Sequence, residues 1–343
     1  MHNSADERIA KWDNAKALLI LLVVTGHALY DLLEVSSLCR TFYMFIYLFH
    51  MPLFMFLSGL LLVRTVRTGY KLKQRVIGYL ILGFLLKFIV LLVRLPFGYY
   101  EIKKFYMWEE NSIPWYLLVL AAYLLLTWCL RNMPGGFLLF LAFLFGCLAG
   151  YDKAVGALFS SSRFFVYYPF FLLGTFWDRT WTDPASKKYM WKTLSAVFLA
   201  AVLFFLITNI ESLYPYIELI KGGYSYPSLK SMIGADQVRL CGFYRLLHYC
   251  LSILISAAVL ILIPSETNLF TYIGTHTLPI YMFHRLFQLP VVYSGLMLQT
   301  IFPPEGNKWK ILYLLAAPLI TLILSHPVFM HLEAWFWRQL KDL

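Results

Sequence analysis

The chain has 343 residues, 60% of them hydrophobic and 18% aromatic, with a mean hydropathy of +0.68. Soluble domains are roughly 45–50% apolar, so this composition excludes an ordinary soluble enzyme and predicts an all-α, polytopic bundle of transmembrane helices. The net charge of +11 does not imply nucleic acid, because much of the excess lies in short loops, where membrane topology and anionic lipid account for it.

Apolar runs close to the roughly 20 residues that cross a bilayer as helix are predicted near 15–34, 41–63, 76–95, 114–131, 136–151, 163–178, 191–210, 240–263, 268–290 and 310–332. That pattern gives about ten spans in a single integral membrane domain over residues 1–343. The first span is read as a retained helix and not a cleaved signal: its apolar run is long, it carries a histidine, and no small-residue cleavage pattern follows. If the ninth span extends through LPVVYSGLMLQTIF, a break is expected at Pro290.

Orientation follows from Lys and Arg, which are retained on the cytoplasmic side in short loops. Arg64, Arg67, Lys71, Lys73 and Arg75 crowd between the second and third spans, and Arg179, Lys187, Lys188 and Lys192 between the sixth and seventh. An even number of spans separates these loops, so they face one side. With ten spans both termini join them in the cytoplasm, and the largest outer loops are 96–113 and 211–239. The basic stretch RTVRTGYKLKQR (64–75) has a second reading as a site for a phosphorylated ligand, since clustered cations neutralise phosphate. The cysteines Cys39, Cys129, Cys147, Cys241 and Cys250 are odd in number and contain no CxxC pair, so neither a disulfide framework nor a metal site is expected.

The first span, WDNAKALLILLVVTGHALYDLLE (12–34), carries ionisable groups through an apolar run. At 100° per residue Lys16 falls about 20° and Asp13 about 40° from His27 around a helix, with Glu34 and Asp31 at about 20° and 40°. These groups form one stripe. Intramembrane ionisable residues face the bundle interior or a water-filled cavity, and His27, eleven residues beyond Lys16, lies about 16 Å further along the helix, near the midplane. Position alone leaves two roles open: a group lining a functional polar pathway, or a structural histidine bonding to a neighbouring helix.

In the second span, FHMPLFMFLSG (49–59) places His50 beside Pro52, whose missing N–H opens the helix locally, and ends on Ser58-Gly59, small enough for close helix approach. His50 either borders the same cavity or is satisfied by the freed carbonyl. Towards the C-terminus, YIGTHTLPIYMFHRL (272–286) holds His276 near a helix entrance and His284 deep in the span. Arg245, His248 and Cys250 are read as a polar interface within the eighth span.

Four stretches in order resemble the membrane acyltransferase 3 family, and within it the fucose 4-O-acetylase-like group. WDNAKALLILLVVTGH is similar to the family's first-helix signature: an aspartate, a basic residue three positions later, then ten residues and a histidine, matched by Asp13, Lys16 and His27. Arginine is commoner at the basic position in the wider family; lysine is usual in the fucose acetylase-like group. FHMPLFMFLSG, followed by KLKQRVIGYL, resembles the second-helix motif and its basic loop. PWYLLVLAAYLL, with Trp115, and YYPFFLLGTFW resemble the tryptophan-led and following helices. YIGTHTLPIYMFH resembles the C-terminal helix that ends in His284.

The resemblance implies transfer of an acyl group, usually acetyl from acetyl-CoA, to a hydroxyl of a sugar or cell-envelope glycan, by an integral protein of a bacterial plasma membrane. An alcohol is a poor nucleophile near neutral pH and needs a base with pKa near 7, which imidazole supplies. His27 is therefore the expected general base, with a covalent acetyl-histidine as the alternative route. Asp13 is expected to orient Lys16 through their one-turn spacing. Lys16, Lys73 and Arg75 would meet the donor, Trp115 the acceptor or acyl chain, and His50 and His284 the bound substrates. Acyl-CoA, the glycan acceptor and the bilayer are the expected partners, with no metal. A transporter or flippase for a lipid-linked or small hydroxylated substrate also fits a polar stripe and a midplane histidine, although the sequence contains no internal repeat.

Overall fold

A run of apolar residues with Asp13 in its first turn forms α1 (Ala10–Tyr30), a largely buried helix. The computed structural model describes residues 9–30, 32–34, 36–97, 113–178, 188–293 and 308–341. After α1 come α2 (Ser37–Thr68), α3 (Leu72–Arg94), α4 (Trp115–Cys129), α5 (Gly135–Leu148), α6 (Ser161–Phe176) and α7 (Lys188–Leu213). The short helices α8 (Ile217–Lys221), α9 (Lys230–Ile233) and α10 (Ala235–Val238) lead to α11 (Cys241–Leu262), α12 (Leu269–Gly274), α13 (Thr277–Tyr293), α14 (Lys308–Leu324) and α15 (Pro327–Gln339). Among the described residues there is no strand.

Each of the first eight expected spans coincides with one helix, and the last two are broken. The ninth divides at Thr275-His276 and not at Pro290, which lies inside α13. Pro279 explains the position: it sits in the first turn of α13, where a missing N–H leaves no intrahelical bond unmade. The tenth divides at Ser325-His326, with Pro327 opening α15 and a bend of 57°. Proline at the first helical position is favoured for the same reason. Among the described residues four helical stretches are long and apolar enough to cross a membrane, Ser37–Thr68, Leu72–Phe97, Tyr189–Lys221 and Cys241–Leu262, and the bent α14–α15 pair makes a fifth if counted as one. The other expected spans are shorter, as in α4 and α5, broken, or, as in α1, charged. The chain is an integral membrane protein by these apolar helices and by its family, described below.

The most extensive seam joins α2 to α6. A Cβ built on Gly59 would lie 1.9 Å from the Phe171 carbonyl oxygen, and one on Gly174 1.9 Å from that of Phe56. Only glycine at both positions lets the two backbones touch. Pro52 withdraws the N–H that the Leu48 carbonyl would accept, and the Ser252 hydroxyl of α11 donates to that carbonyl instead. Arg245 lies 3.3 Å from His248 Nδ1, and His248 Nε2 lies 3.1 Å from Ser252 Oγ. Arginine can only donate, so Nδ1 accepts and Nε2–H donates to the serine. The Arg245–His248 pair is thus a polar interface that mends the proline break, and the freed carbonyl is not taken by His50.

Residues 211–239, expected as an outer loop, fold into the end of α7 and α8–α10. Leu219, Tyr226, Leu229, Ile233 and Cys241 form a small buried core there. The cysteines Cys39, Cys129, Cys147, Cys241 and Cys250 are free thiols.

Candidate active site

Two cavities enter the bundle and share Val23, Met51 and Tyr281 as lining residues. One, of about 420 Å³, is lined by Lys16 from the first half of α1, by the last half of α2, and by Lys71, Gln74, Arg75 and Glu333. The other, of about 470 Å³, is lined by His27 from the second half of α1, by Tyr43, Tyr47 and His50 of α2, and by Trp115 and Arg163. Because α1 and α2 run in opposite directions past both, the cavities approach the shared wall from opposite ends of the bundle.

At the Lys16 end, Lys16 Nζ bonds to Asp13 Oδ1 at 2.7 Å, the one-turn pairing expected from their spacing. Asp13 is buried, whereas Lys16 reaches the cavity. The start of α1 is clamped by the last turn of α12: a Cβ on Gly274 would lie 1.8 Å from the Asp13 carbonyl oxygen. Asn14 adds a second clamp, donating to the carbonyls of Pro264 and Glu266 at 2.9 and 3.0 Å and accepting from Thr271 at 2.6 Å. Arg75 lines the cavity and bonds to Thr65. Lys73, expected beside it, is exposed and lines neither cavity; Lys71 and Gln74 take that place. On the donor role that the sequence resemblance implies, replacing Arg75 with Gln is expected to weaken acyl-CoA binding about 10-fold, a charge-assisted contact being worth a kcal/mol or more, whereas Lys73→Gln leaves it unchanged. Calorimetric titration of acetyl-CoA into each variant checks this, and equal affinities in both would remove Arg75 from the donor site.

At the other end, His27 lines the cavity, and its ring packs on that of His284 with centroids 5.3 Å apart. His284 is fully buried; its Nδ1 lies 3.0 and 2.8 Å from the carbonyls of Ile280 and Tyr281, and its Nε2 has no hydrogen-bond partner. His50 Nδ1 lies 2.8 Å from the Ile46 carbonyl, and its ring packs on Tyr47. Carbonyls only accept, so Nδ1 carries the proton in both rings and Nε2 is left as the acceptor when the ring is neutral. Trp115 stacks on Tyr167 at 5.2 Å and lies under the Arg163 guanidinium at 4.9 Å. His276 lies at the α12–α13 break, close to Thr275 and Tyr272, and lines neither cavity.

His27, His50, Trp115 and, through its ring contact with His27, His284 are thus brought together, and Asp13, Lys16 and Arg75 meet at the other end. Glu34 falls outside the stripe, since α1 ends at Tyr30 and residues 32–34 form a turn; Asp31 lies outside the described residues.

A sequence profile described as an acyltransferase domain matches residues 9–330. The chain belongs to the acyltransferase 3 family. Family membership favours an acyltransferase over the transporter reading and makes the chain an enzyme of the transferase class acting within a membrane. No curated protein and no solved structure matches it. In a member of this family the elements that carry the expected residues are also the ones that wall the two cavities. Arg163, Lys221, Glu218, Tyr281 and Arg285 also line the His27 cavity, with little to mark them in the sequence. An arginine at the start of an apolar helix and the His284-Arg285 pair were the available signals.

Proposed function

We propose that the protein is an O-acetyltransferase that takes an acyl group from acyl-CoA, acetyl in the simplest case, and passes it to a hydroxyl of a sugar or envelope glycan. The observation that carries this reading is the meeting of the two cavities at Val23, Met51 and Tyr281, directly between Lys16 and His27 on α1. The donor enters at the Lys16 end, with Lys16 and Arg75 meeting its phosphates and the extended pantetheine arm running along α1 for the roughly 16 Å to His27. The acceptor enters from the His27 end. An imidazole nitrogen of His27 takes the hydroxyl proton as the oxygen attacks the thioester carbonyl, the C–S bond breaks, and the coenzyme A thiolate leaves and is reprotonated.

His27 is favoured over its neighbours because it is only partly buried and faces the cavity, whereas His50 is buried and His284 is fully buried and lines neither cavity. Asp13 holds Lys16 in place, Trp115 walls the acceptor side, and His50 and His284 border the reacting groups. No metal enters this scheme. The first-helix pattern with Lys16 supports the fucose 4-O-acetylase-like group, and an envelope acceptor places the protein in a bacterial plasma membrane.

We also retain ten passes with both termini in the cytoplasm, because the basic stretch 64–75 reaches the Lys16 cavity through Lys71 and Arg75, where coenzyme A would be met. A C-terminal reporter active only in the cytoplasm is expected to report there; activity of an exclusively external reporter would reverse the orientation. Mass spectrometry of envelope glycans with and without the protein tests the activity itself. A glycan that loses 42 mass units, one acetyl group, on deletion supports the proposal, and an unchanged glycan profile counts against it.

A further inference from the structure

We propose that the acceptor admitted to the His27 cavity is anionic, carrying a carboxylate or phosphate near the hydroxyl that is acylated. The inference deepens the acyltransferase reading and rests on it. Among the described residues the cavity wall carries the cations Lys87, Arg94, Arg163, Lys221 and Arg285 against a single carboxylate, Glu218. That carboxylate is already engaged, with Lys221 Nζ 2.6 Å from its Oε1. A site made for a neutral sugar would offer carboxylates and amides to pair with hydroxyls, and this wall contains no Asp, Asn or Gln among those residues.

Arg163 is the decisive side chain. It is only 8% exposed, lines the cavity, and its Nη1 is buried without a hydrogen-bond partner among the described residues. A buried guanidinium with an idle N–H group is costly unless the cost is recovered when a ligand binds. The Trp115 ring beneath it fixes its plane, and a planar, fixed guanidinium suits bidentate recognition of carboxylate or phosphate. Arg163 is held on α6, whose Gly174 seam with α2 fixes it relative to His50. The phosphates of coenzyme A do not account for this charge, because Lys16, Lys71 and Arg75 stand in the other cavity.

Calorimetric titration of the full-length protein in detergent with glucuronate, glucose 1-phosphate and glucose, beside acetyl-CoA, tests the proposal. Glucuronate or glucose 1-phosphate is expected to bind at least about 10-fold more tightly than glucose, with an affinity that falls as salt rises; which of the two binds identifies the anion as carboxylate or phosphate. Arg163→Gln should abolish most of that preference, Arg163→Lys should keep part of it, and neither should alter acetyl-CoA affinity. Should the variants fail to fold, the wild-type preference decides alone. Equal binding of glucose and the anionic sugars, or no binding of either anion, overturns the proposal. So does an Arg163→Gln protein that loses acetyl-CoA and keeps the sugars, since that would assign the cations to the donor. If the anionic sugars bind and acetyl-CoA does not, the anion site stands and the acyltransferase reading falls.

Discussion

Replacing His27 with glutamine is expected to lower acyl transfer by roughly 100-fold or more, the usual contribution of a positioned base, while the protein remains inserted and folded. Glutamine offers a hydrogen-bonding amide of similar reach and no titratable nitrogen, so it can stand in for a structural histidine and not for a base. His27 packs on the His284 ring and borders open space, which leaves room for the substitution. The wild-type rate should rise with pH as the imidazole loses its proton, because only the neutral ring can accept the proton of the hydroxyl. That limb should vanish in the variant. Near wild-type transfer with an unchanged pH profile would remove His27 from catalysis and leave His50 or His284 as the base.

Alanine at Gly59 or Gly174 should be among the most costly small changes in the bundle. Each Cβ would come 1.9 Å from a carbonyl oxygen of the facing helix, and these oxygens belong to backbone that cannot rotate away. The helices must separate along the seam, and overpacking of this kind costs about 1–3 kcal/mol or more. Because α2 lines both cavities and α6 carries Arg163, separation would also spoil the site. Gly136 is the control, with nothing within 4 Å of its Cβ. Thermal unfolding in detergent should show both seam variants well below wild type and Gly136→Ala close to it. Wild-type midpoints at both seam positions would contradict the close crossing.

Much of this architecture was legible in the sequence because apolar run length and the 3.6-residue period are local properties. The stripe of Asp13, Lys16 and His27 is an example: angular position on one helix predicted that the three share a face, and Lys16 and His27 do line cavities. Ser58-Gly59 likewise marked a close approach, although its partner Gly174 could not be read from one helix. Legibility failed where the answer depends on a second element. Lys73 and Lys71 both sit in the basic loop, and only packing against the last helix decides which reaches the cavity. The breaks at Thr275-His276 and Ser325-His326 follow prolines that the apolar pattern masked, since broken and continuous spans have the same composition. The cap over the His27 cavity from residues 211–239, with Glu218, Lys221 and Tyr224, had no periodic signal because its helices are four or five residues long.

In the proposed reaction Lys16 and His27 stand at two ends of one route by which an acyl group crosses from coenzyme A to a hydroxyl. Its most direct test uses purified protein in lipid nanodiscs with acetyl-CoA carrying a labelled acetyl group, with and without an added hydroxylated sugar acceptor. Label is expected to leave coenzyme A and appear as an ester on the acceptor, in wild type and not in His27→Gln. Label that stays on coenzyme A across a panel of neutral and anionic acceptors, in protein shown to be folded and to bind acetyl-CoA, would contradict it.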